Sequence, residues 1–538
     1  MERVKNKNGI TLIASLIFLA VFTTWILSVG SSSSVNLQLA RNQHKIGTAL
    51  SAAESGLEHG RFVISSYTPI TTWDGQDVTQ VQADTTWDLL CRHFRDSLNG
   101  QVLLGGRVIG DAGRFTDSFD SGDELVTPVI STGRTSFQLR LYRYDSNPFI
   151  IKLQSIGSDS EVTRKACIDL AVEKDTTVLK YAVASRSRII ITGDSTIEGD
   201  IYSPWDLPNI ASPFEVDANS VINGTLNTVI DRHSFDPDSG EYVGYTLETL
   251  DEDGNAIFDA NGNRIYSSDD MVQGYHEGIN YGQPDIPASG FEASDYDTSS
   301  YDALTEYVST GGCSTVIEYF PHAPGDFTQR QDWSSRRLTR PIIENQVITN
   351  GKLAAGSNAL FRNCTFEDIL YVEGADSIFN NVRFEDCTFN GAIVTDVPAD
   401  FYWQKNVLYF TGTAIFDNRY MEEATILAPN FNVNIGNTME LEDDSESVLT
   451  GLVVGGIVDV RGNANVNGTI LSMYDPGPLG ASAALYGTNV GFSDENNEAG
   501  IPEDVGTIHI NPDPEGLMPL GVRSDVILVP LPHTYSEM

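Results

Sequence analysis

The residues whose types and spacing come nearest to chemistry are four carboxylates in two echoing segments, NCTFED from Asn363 and DCTFNG from Asp386. Stacking these segments sets Glu367 and Asp368 against Glu385 and Asp386 on one face. Two carboxylates at a set separation are what glycosidic-bond hydrolysis requires. The chain carries 74 acidic residues, so clusters of this kind arise from composition alone, and the sequence assigns no catalytic residue. A second candidate is DEDGNAIFDANGNRIYSSDD, where Asp251, Asp253, Asp259 and Asn261 raise calcium as a ligand. A calcium loop of the EF-hand kind needs oxygen ligands at its first and last positions. Counting from Gly254 puts Thr249 and Ala260 there, and counting from Gly262 puts Ile257 and Ser268 there. The segment therefore reads as hairpin tips, and no cofactor or metal is assigned. Phosphate-loop, dinucleotide, HExxH and nucleophile-elbow patterns are absent; Gly351-Lys352-Leu353 lacks the hydroxyl a phosphate loop needs for its metal. The eight histidines are scattered from His44 to His533. Arg330, Arg336, Arg337 and Arg340 form the one basic cluster, read as pairing with the acidic surface or seating the surrounding insertion.

Charge narrows the function classes. A formal net charge of −41 repels phosphate backbones, which argues against nucleic-acid binding, and disfavours a polybasic membrane-surface role. The 538 residues are 41% hydrophobic, with 24 Phe and 21 Tyr, enough for substantial cores in about three structural units. Five cysteines, at 91, 167, 313, 364 and 387, form no CxxC pair. Cys91 and Cys167 are candidates to meet within one unit. Cys364 and Cys387, 23 residues apart, are expected to stack in neighbouring coils, close enough for a disulfide.

The elements that must position these groups announce themselves as repeats. Apolar, Asn or Glu, Gly, small or Asp, then Ile or Leu recurs at Ile197–Ile201, Ile222–Leu226, Phe389–Ile393 and Val466–Ile470. The first two glycines are 25 residues apart and the last two 77, close to three such periods. Repeats of this length in β-rich sequence predict a stacked solenoid with the apolar positions in a continuous core. Residues 178–230 and 341–538 read as an all-β right-handed parallel β-helix, with a pentapeptide-like or irregular β-roll as the alternative. Residues 231–340 read as an acidic, loop-rich insertion. Sequons at Asn223, Asn363 and Asn467 fall on predicted coils and read as coil turns.

Residues 68–177 read as a globular sheet. FQLRLYRYD, FIIKLQSIGS and VTRKACIDLAVEK alternate apolar with polar residues, giving an antiparallel meander with one covered face. TTWDLLCRHFRDSL, from Thr85, predicts a helix, and residues 117–124 an acidic loop. The meander is expected to pack on a long preceding helix over residues 10–67. In its second half Ile46, Leu50, Ala53, Leu57 and Ile64 form one stripe, and Pro69 gives an end.

The first half of that helix is uncharged and apolar from Ile10 to Val29, about 20 residues and long enough to cross a bilayer. The leader MERVKNKNG precedes it with Arg3, Lys5 and Lys7, a flank expected to stay in the cytoplasm. The leader ending in Gly9, the segment ITLIASLIFLAVFTTWILSVG and the segment LSAAESGLEHGRF together resemble type IV pilins, most of all the PilX-like minor pilins. The resemblance covers roughly the first 65 residues and implies cleavage after Gly9 (residues 1–9 being the leader), methylation of the new Ile10 amine, and packing of the helix into a filament core. It implies that Thr11, Leu12, Ile13, Ala14, Leu16, Ile17, Phe18, Leu19, Val21 and Phe22 form the membrane and assembly surface. Major pilins carry Glu at the fifth mature position, where it neutralises a neighbour's amine; that position is Ala14. A buried unpaired ammonium is costly, so a minor, priming or tip role is implied.

The fold class expected is thus an α+β pilin-like part followed by the β-helix. The leading function is a structural, non-enzymatic subunit of a type IV pilus or secretion pseudopilus. It would be a single-pass inner-membrane protein, extracytoplasmic beyond the helix, that assembles into a filament. Its partners would be other pilins, prepilin peptidase and the assembly machinery, with an extracellular surface or polysaccharide as the ligand class. Two alternatives stand beside it: a membrane-anchored β-helix polysaccharide lyase or glycosidase, and an uncleaved surface adhesin.

Overall fold

A computed structural model describes residues 8–72, 78–98, 102–103, 107–108, 116–118, 124–131, 133–144, 146–159, 161–193, 195–207, 212–232, 234–236, 241–243, 247, 257, 271–285, 291–296, 298–304, 314–319, 337–398, 406–418, 421, 423–436, 447–475, 487–491, 507–522 and 524–538. The candidate calcium residues Asp251, Asp253, Asp259 and Asn261, together with Cys313, Arg330 and Arg336, lie outside this set. The chain divides into two compact units where the sequence suggested about three. The first is built from residues 1–70, 78–173 and 526–538, and the second from 71–77 and 174–525.

The first unit is a helix-on-sheet layer. Helix α1 runs Asn8–Ser65 as one element and α2 runs Gln80–Leu98, five residues earlier than the sequence marked. Strands β1 (Thr135–Tyr144), β2 (Asn147–Asp159) and β3 (Val162–Lys174) form the expected antiparallel meander. Phe137, Leu139 and Leu141 are buried on its covered face, as their alternation required. The predicted acidic loop is bounded by paired strands, since Thr116–Ser118 runs antiparallel to Glu124–Val126.

The sheet is completed by strand β4 (Ser524–Glu537), which lies between β3 and the short strand Ile70–Thr72. Met538 and Lys165 exchange backbone hydrogen bonds at 2.9 and 2.8 Å, and Thr534 Oγ1 accepts from Asp169 N at 2.8 Å. Residues 526–538 therefore belong to the first unit, a correction to the expected β-helix span of 341–538. Cys167 sits beside Ser536 Oγ at 3.0 Å, and Cys91 lies in the core with Ala166 and Ile168. Alternation along β3 puts Cys167 on the other face from these two, so the candidate pair Cys91 and Cys167 does not meet and both are free thiols.

The second unit is a stack of parallel coils. Ile197 pairs with Ile222, so the 25-residue repeat is one coil. Successive steps then vary: Phe366 pairs with Phe389, Phe389 with Phe416, Asp417 with Val448, and Val448 with Asn465. Three coil steps thus fill the 77-residue interval. The repeat glycines sit where stacked corners touch. A Cβ at Gly224 would lie 2.3 Å from Gly199 O, and one at Gly391 would lie 1.8 Å from Asp368 O. Between the corners, Phe361, Phe384 and Phe410 form one buried column and Phe366, Phe389 and Phe416 a second. Neighbours in each column stack at 5.0–5.5 Å and rings from the two columns meet edge to face at 5.1–5.5 Å.

Coil order in space is not coil order in sequence. One ladder runs Asp302, Gly351, Leu370, Ile393, Ile426, Val453, Ile470, Val183, Ile201, Leu226, Ile279, each residue paired with the next. The chain enters this ladder in its middle, at Val183, and its last coil docks on its first. Asp175 N donates to Asp525 O at 2.7 Å, so the unit begins and ends at one point. The ten steps span roughly 48 Å at about 4.8 Å each. Phe291 and Ala293 cover an apolar flank formed by Tyr371, Val394, Leu427, Leu452 and Leu471. The expected insertion 231–340 therefore includes a coil strand, Tyr275–Asn280, and part of a covering layer. Arg340 is fully buried and donates to Asn381 O at 2.5 Å and to Asn358 O at 3.2 Å, which places it inside the stack and not on the acidic surface.

Candidate functional site

Helix α1 changes character along its length. Leu12, Ile13, Leu16, Ile17, Phe18, Leu19, Val21 and Phe22 are each 54–65% exposed, and Trp25, Ile26 and Leu27 are 65–66% exposed. Thr11 and Ala14 are exposed with them, and Gly9 and Ile10 lie in the first helical turn. The polar side chains in this stretch are turned onto the helix backbone. Ser15 Oγ donates to Leu12 O at 2.9 Å, Thr23 Oγ1 to Leu19 O at 2.7 Å and Thr24 Oγ1 to Ala20 O at 2.9 Å. The helix is thus long and apolar enough to cross a membrane, with hydroxyls that need no water.

From Ala49 onward the same helix is packed. Ala49, Ala53, Leu57 and Val63 are at most 3% exposed. The expected stripe is only partly the seam, because Ile46 is 36% exposed. The seam is made of small residues. A Cβ at Gly157 would lie 2.2 Å from both Ala49 O and Ala53 N, and one at Gly56 would lie 2.2 Å from Ser155 Oγ. Ala53, Gly56 and Gly60 of the AAESGLEHG segment let the helix backbone approach β2 closely. A pattern search for large apolar residues passes over such positions. The helix ends where His93 Nε2 of α2 donates to Val63 O at 2.9 Å.

Beside this end lies a cavity of about 520 Å³ lined by Arg61, Phe62, Ile64, Tyr67, Leu170, Ile527 and Leu528. Phe62 stands 67% exposed at its edge. Sequence reading missed this cavity because its wall combines α1 with β4 from the far end of the chain.

The four candidate carboxylates are brought onto neighbouring coils, but each is engaged in holding coils together. Glu385 accepts from Arg362 Nε at 3.1 Å, and Arg362 also donates to Glu344 at 2.8 Å. Asp386 accepts from Thr413 N at 3.0 Å, Glu367 from Thr349 Oγ1 at 3.2 Å and Asp368 from Asn350 Nδ2 at 3.3 Å. Asp368 and Asp386 occupy left-handed corners, φ 59° and 53°, a conformation short polar side chains tolerate. Asn363 is another such corner, φ 49°, with its amide bonded to Asn345 at 2.6 Å. Among the described residues no group of three or more His, Cys, Asp or Glu is placed to hold a metal ion.

No family model matches the chain, and no curated protein does. Among solved structures it is similar to the competence-associated pilin ComZ from Thermus thermophilus, at 12% identity and a TM-score of 0.29, over 92% of this chain and 97% of that one.

Proposed function

We propose that this chain is a minor pilin-like subunit: a structural protein anchored by α1 in the inner membrane, drawn from it into a type IV pilus-type filament, and carrying a right-handed parallel β-helix for contact with a surface or partner. The observation that carries the reading is the split in α1. One continuous helix has a first half wholly exposed and apolar, and a second half sealed against an antiparallel sheet. A helix built this way can pass from lipid to a protein environment without exchanging its polar contacts. The leader ending in Gly9 and the AAESGLEHG segment favour the same reading over a plain anchor.

In this reading a prepilin peptidase cuts between Gly9 and Ile10, and residues Thr11 to Phe22 contact other pilins. Ala14 supplies no carboxylate for a neighbour's amine, which favours one or few copies per filament. The topology of the second unit suits a passenger, because a module whose ends meet at Asp175 and Asp525 can be carried between β3 and β4 without opening the sheet. Mass spectrometry of the mature N-terminus tests the proposal. A chain beginning at methylated Ile10 is expected. A chain beginning at Met1, in a host with active prepilin peptidase, would overturn it.

A further inference from the structure

Cys364 and Cys387 occupy equivalent places in neighbouring coils. Thr365 pairs with Thr388, and Thr388 N donates to Cys364 O at 2.9 Å. One strand spacing, about 4.8 Å, therefore separates their α-carbons, inside the ~4.4–6.8 Å window a disulfide accepts. Both stand as free thiols in the structure, 1% exposed and turned into the same core. Cys387 Sγ approaches Phe361 O of the coil below at 3.6 Å and Cys364 Sγ approaches Ile343 O at 3.4 Å, so both side chains lean the same way, Cys387 toward the coil that holds Cys364. The equivalent places one step further out are held by Ala414 on one side and Gln346 on the other, so among the described residues this corner contains two sulfurs and no third. Cys91 and Cys167, the other described cysteines, belong to the other unit.

We infer that Cys364 and Cys387 form a disulfide that staples two coils at the corner between the two phenylalanine columns. The inference rests on the export proposed above, since an extracytoplasmic compartment supplies the oxidant, a protein that carries a reactive disulfide. That carrier first forms a mixed disulfide with one cysteine. The other attacks as thiolate, the S–S bond between 364 and 387 forms, and the carrier's thiolate leaves. The two thiol protons and the two electrons pass to the carrier, whose disulfide becomes a dithiol. In the closed core the hydrogen bond between the two thiols holds Cys387 well above its ordinary value and lowers Cys364 to about 7. At 1% exposure neither thiol can be reached by a carrier in the closed core, so the exchange belongs to the moment when strand Asn380–Glu385 docks on Leu360–Arg362, before the corner is sealed.

The test uses the full chain in detergent, unfolded with reductant and refolded in a glutathione redox buffer. It is then alkylated with N-ethylmaleimide in denaturant, digested and weighed. The expected product is a single linked peptide pair containing Cys364 and Cys387, two hydrogens lighter than the separate peptides. Recovery of both as alkylated thiols, or linkage of either to another cysteine, would overturn the inference. The same trapping on acid-quenched cells reads the compartment separately. A pair that links on refolding but is alkylated from cells supports the disulfide site and counts against export.

Discussion

The two units close on very different scales of sequence. In the first, Asp169 on β3 is bonded to Thr534 on β4, a separation of 365 residues, and the core also needs a helix that starts at Asn8. In the second, most strands pair with a neighbour one short coil away, as little as 17 residues from Val448 to Asn465. Its long closures among the described residues include the docking of Ile470 on Val183, the bridge between Phe291 and Val522, and the bond between Asp175 and Asp525. A repeated coil thus assembles by adding like to like, with stacked rings repeating the same contact. The helix-on-sheet layer has no such redundancy; each element is used once, and β4 joins only after the whole second unit has intervened.

The sharpest way to break this contrast is to remove residues 526–538. Asp175 keeps its partner Asp525, so the coil stack loses nothing of its own. The first unit loses β4 and with it Val526, which is fully buried in its core. The expected outcome by calorimetry is loss of one unfolding transition and retention of the other. Two intact transitions in the truncated chain would show that β4 is an ornament on the sheet.

The converse experiment is Phe384→Ala. Phe384 stacks on Phe361 at 5.5 Å and Phe410 at 5.0 Å and meets Phe366 and Phe389 edge to face, so its removal opens a cavity between both columns. A buried Phe→Ala change costs about 3–5 kcal/mol. The coil stack should lose that stability in a denaturant titration while the helix-and-sheet transition stays where it was. Loss of both together would mean that the units unfold as one.

The same contrast explains what the sequence disclosed. The coil stack was legible at Ile197, Ile222, Phe389 and Val466, because every layer writes the same short phrase. The meander was legible in β1 and β3, because period-two alternation is local. The close packing of α1 on β2 left no such trace. Gly157 lies in a strand and Gly56 in a helix, and only the finished interface shows that neither can carry a Cβ. The place of β4 was also hidden. Residues after Ser524 read as more β-sequence next to a β-rich region, and nothing local says that they cross to the other unit. The docking of the last coil on the first was invisible for the same reason. Among the chemical candidates, the carboxylates were visible as types, but their engagement by Arg362, Thr413, Thr349 and Asn350 depends on register between coils. Whether Gly9 and Ile10 are a processing site rests on the leader and on the resemblance it carries.

The smallest effect expected separates surface electrostatics from core packing in the first unit. Arg143 on β1 donates to Asp84 on α2 at 2.7 Å, and Gln80 adds a hydrogen bond at 3.0 Å. The Arg143 hydrogen bond holds the Asp84 carboxyl below its ordinary value of 3.8. A depressed carboxyl favours the folded state fully above its unfolded value and loses that contribution as pH falls through the folded one. The wild type should therefore exceed Asp84→Asn near neutrality and converge with it under acid conditions. Asp84 is 50% exposed, so the gap is limited by solvent screening to about 0.5 kcal/mol and should narrow further in salt. The measurement is the denaturant midpoint of the helix-and-sheet transition at pH 7 and pH 3. A gap that persists unchanged at pH 3 would assign the effect of Asp84 to packing of α2 against β1. A pH-dependent gap that also appears in the coil-stack transition would show that the two units share their electrostatics.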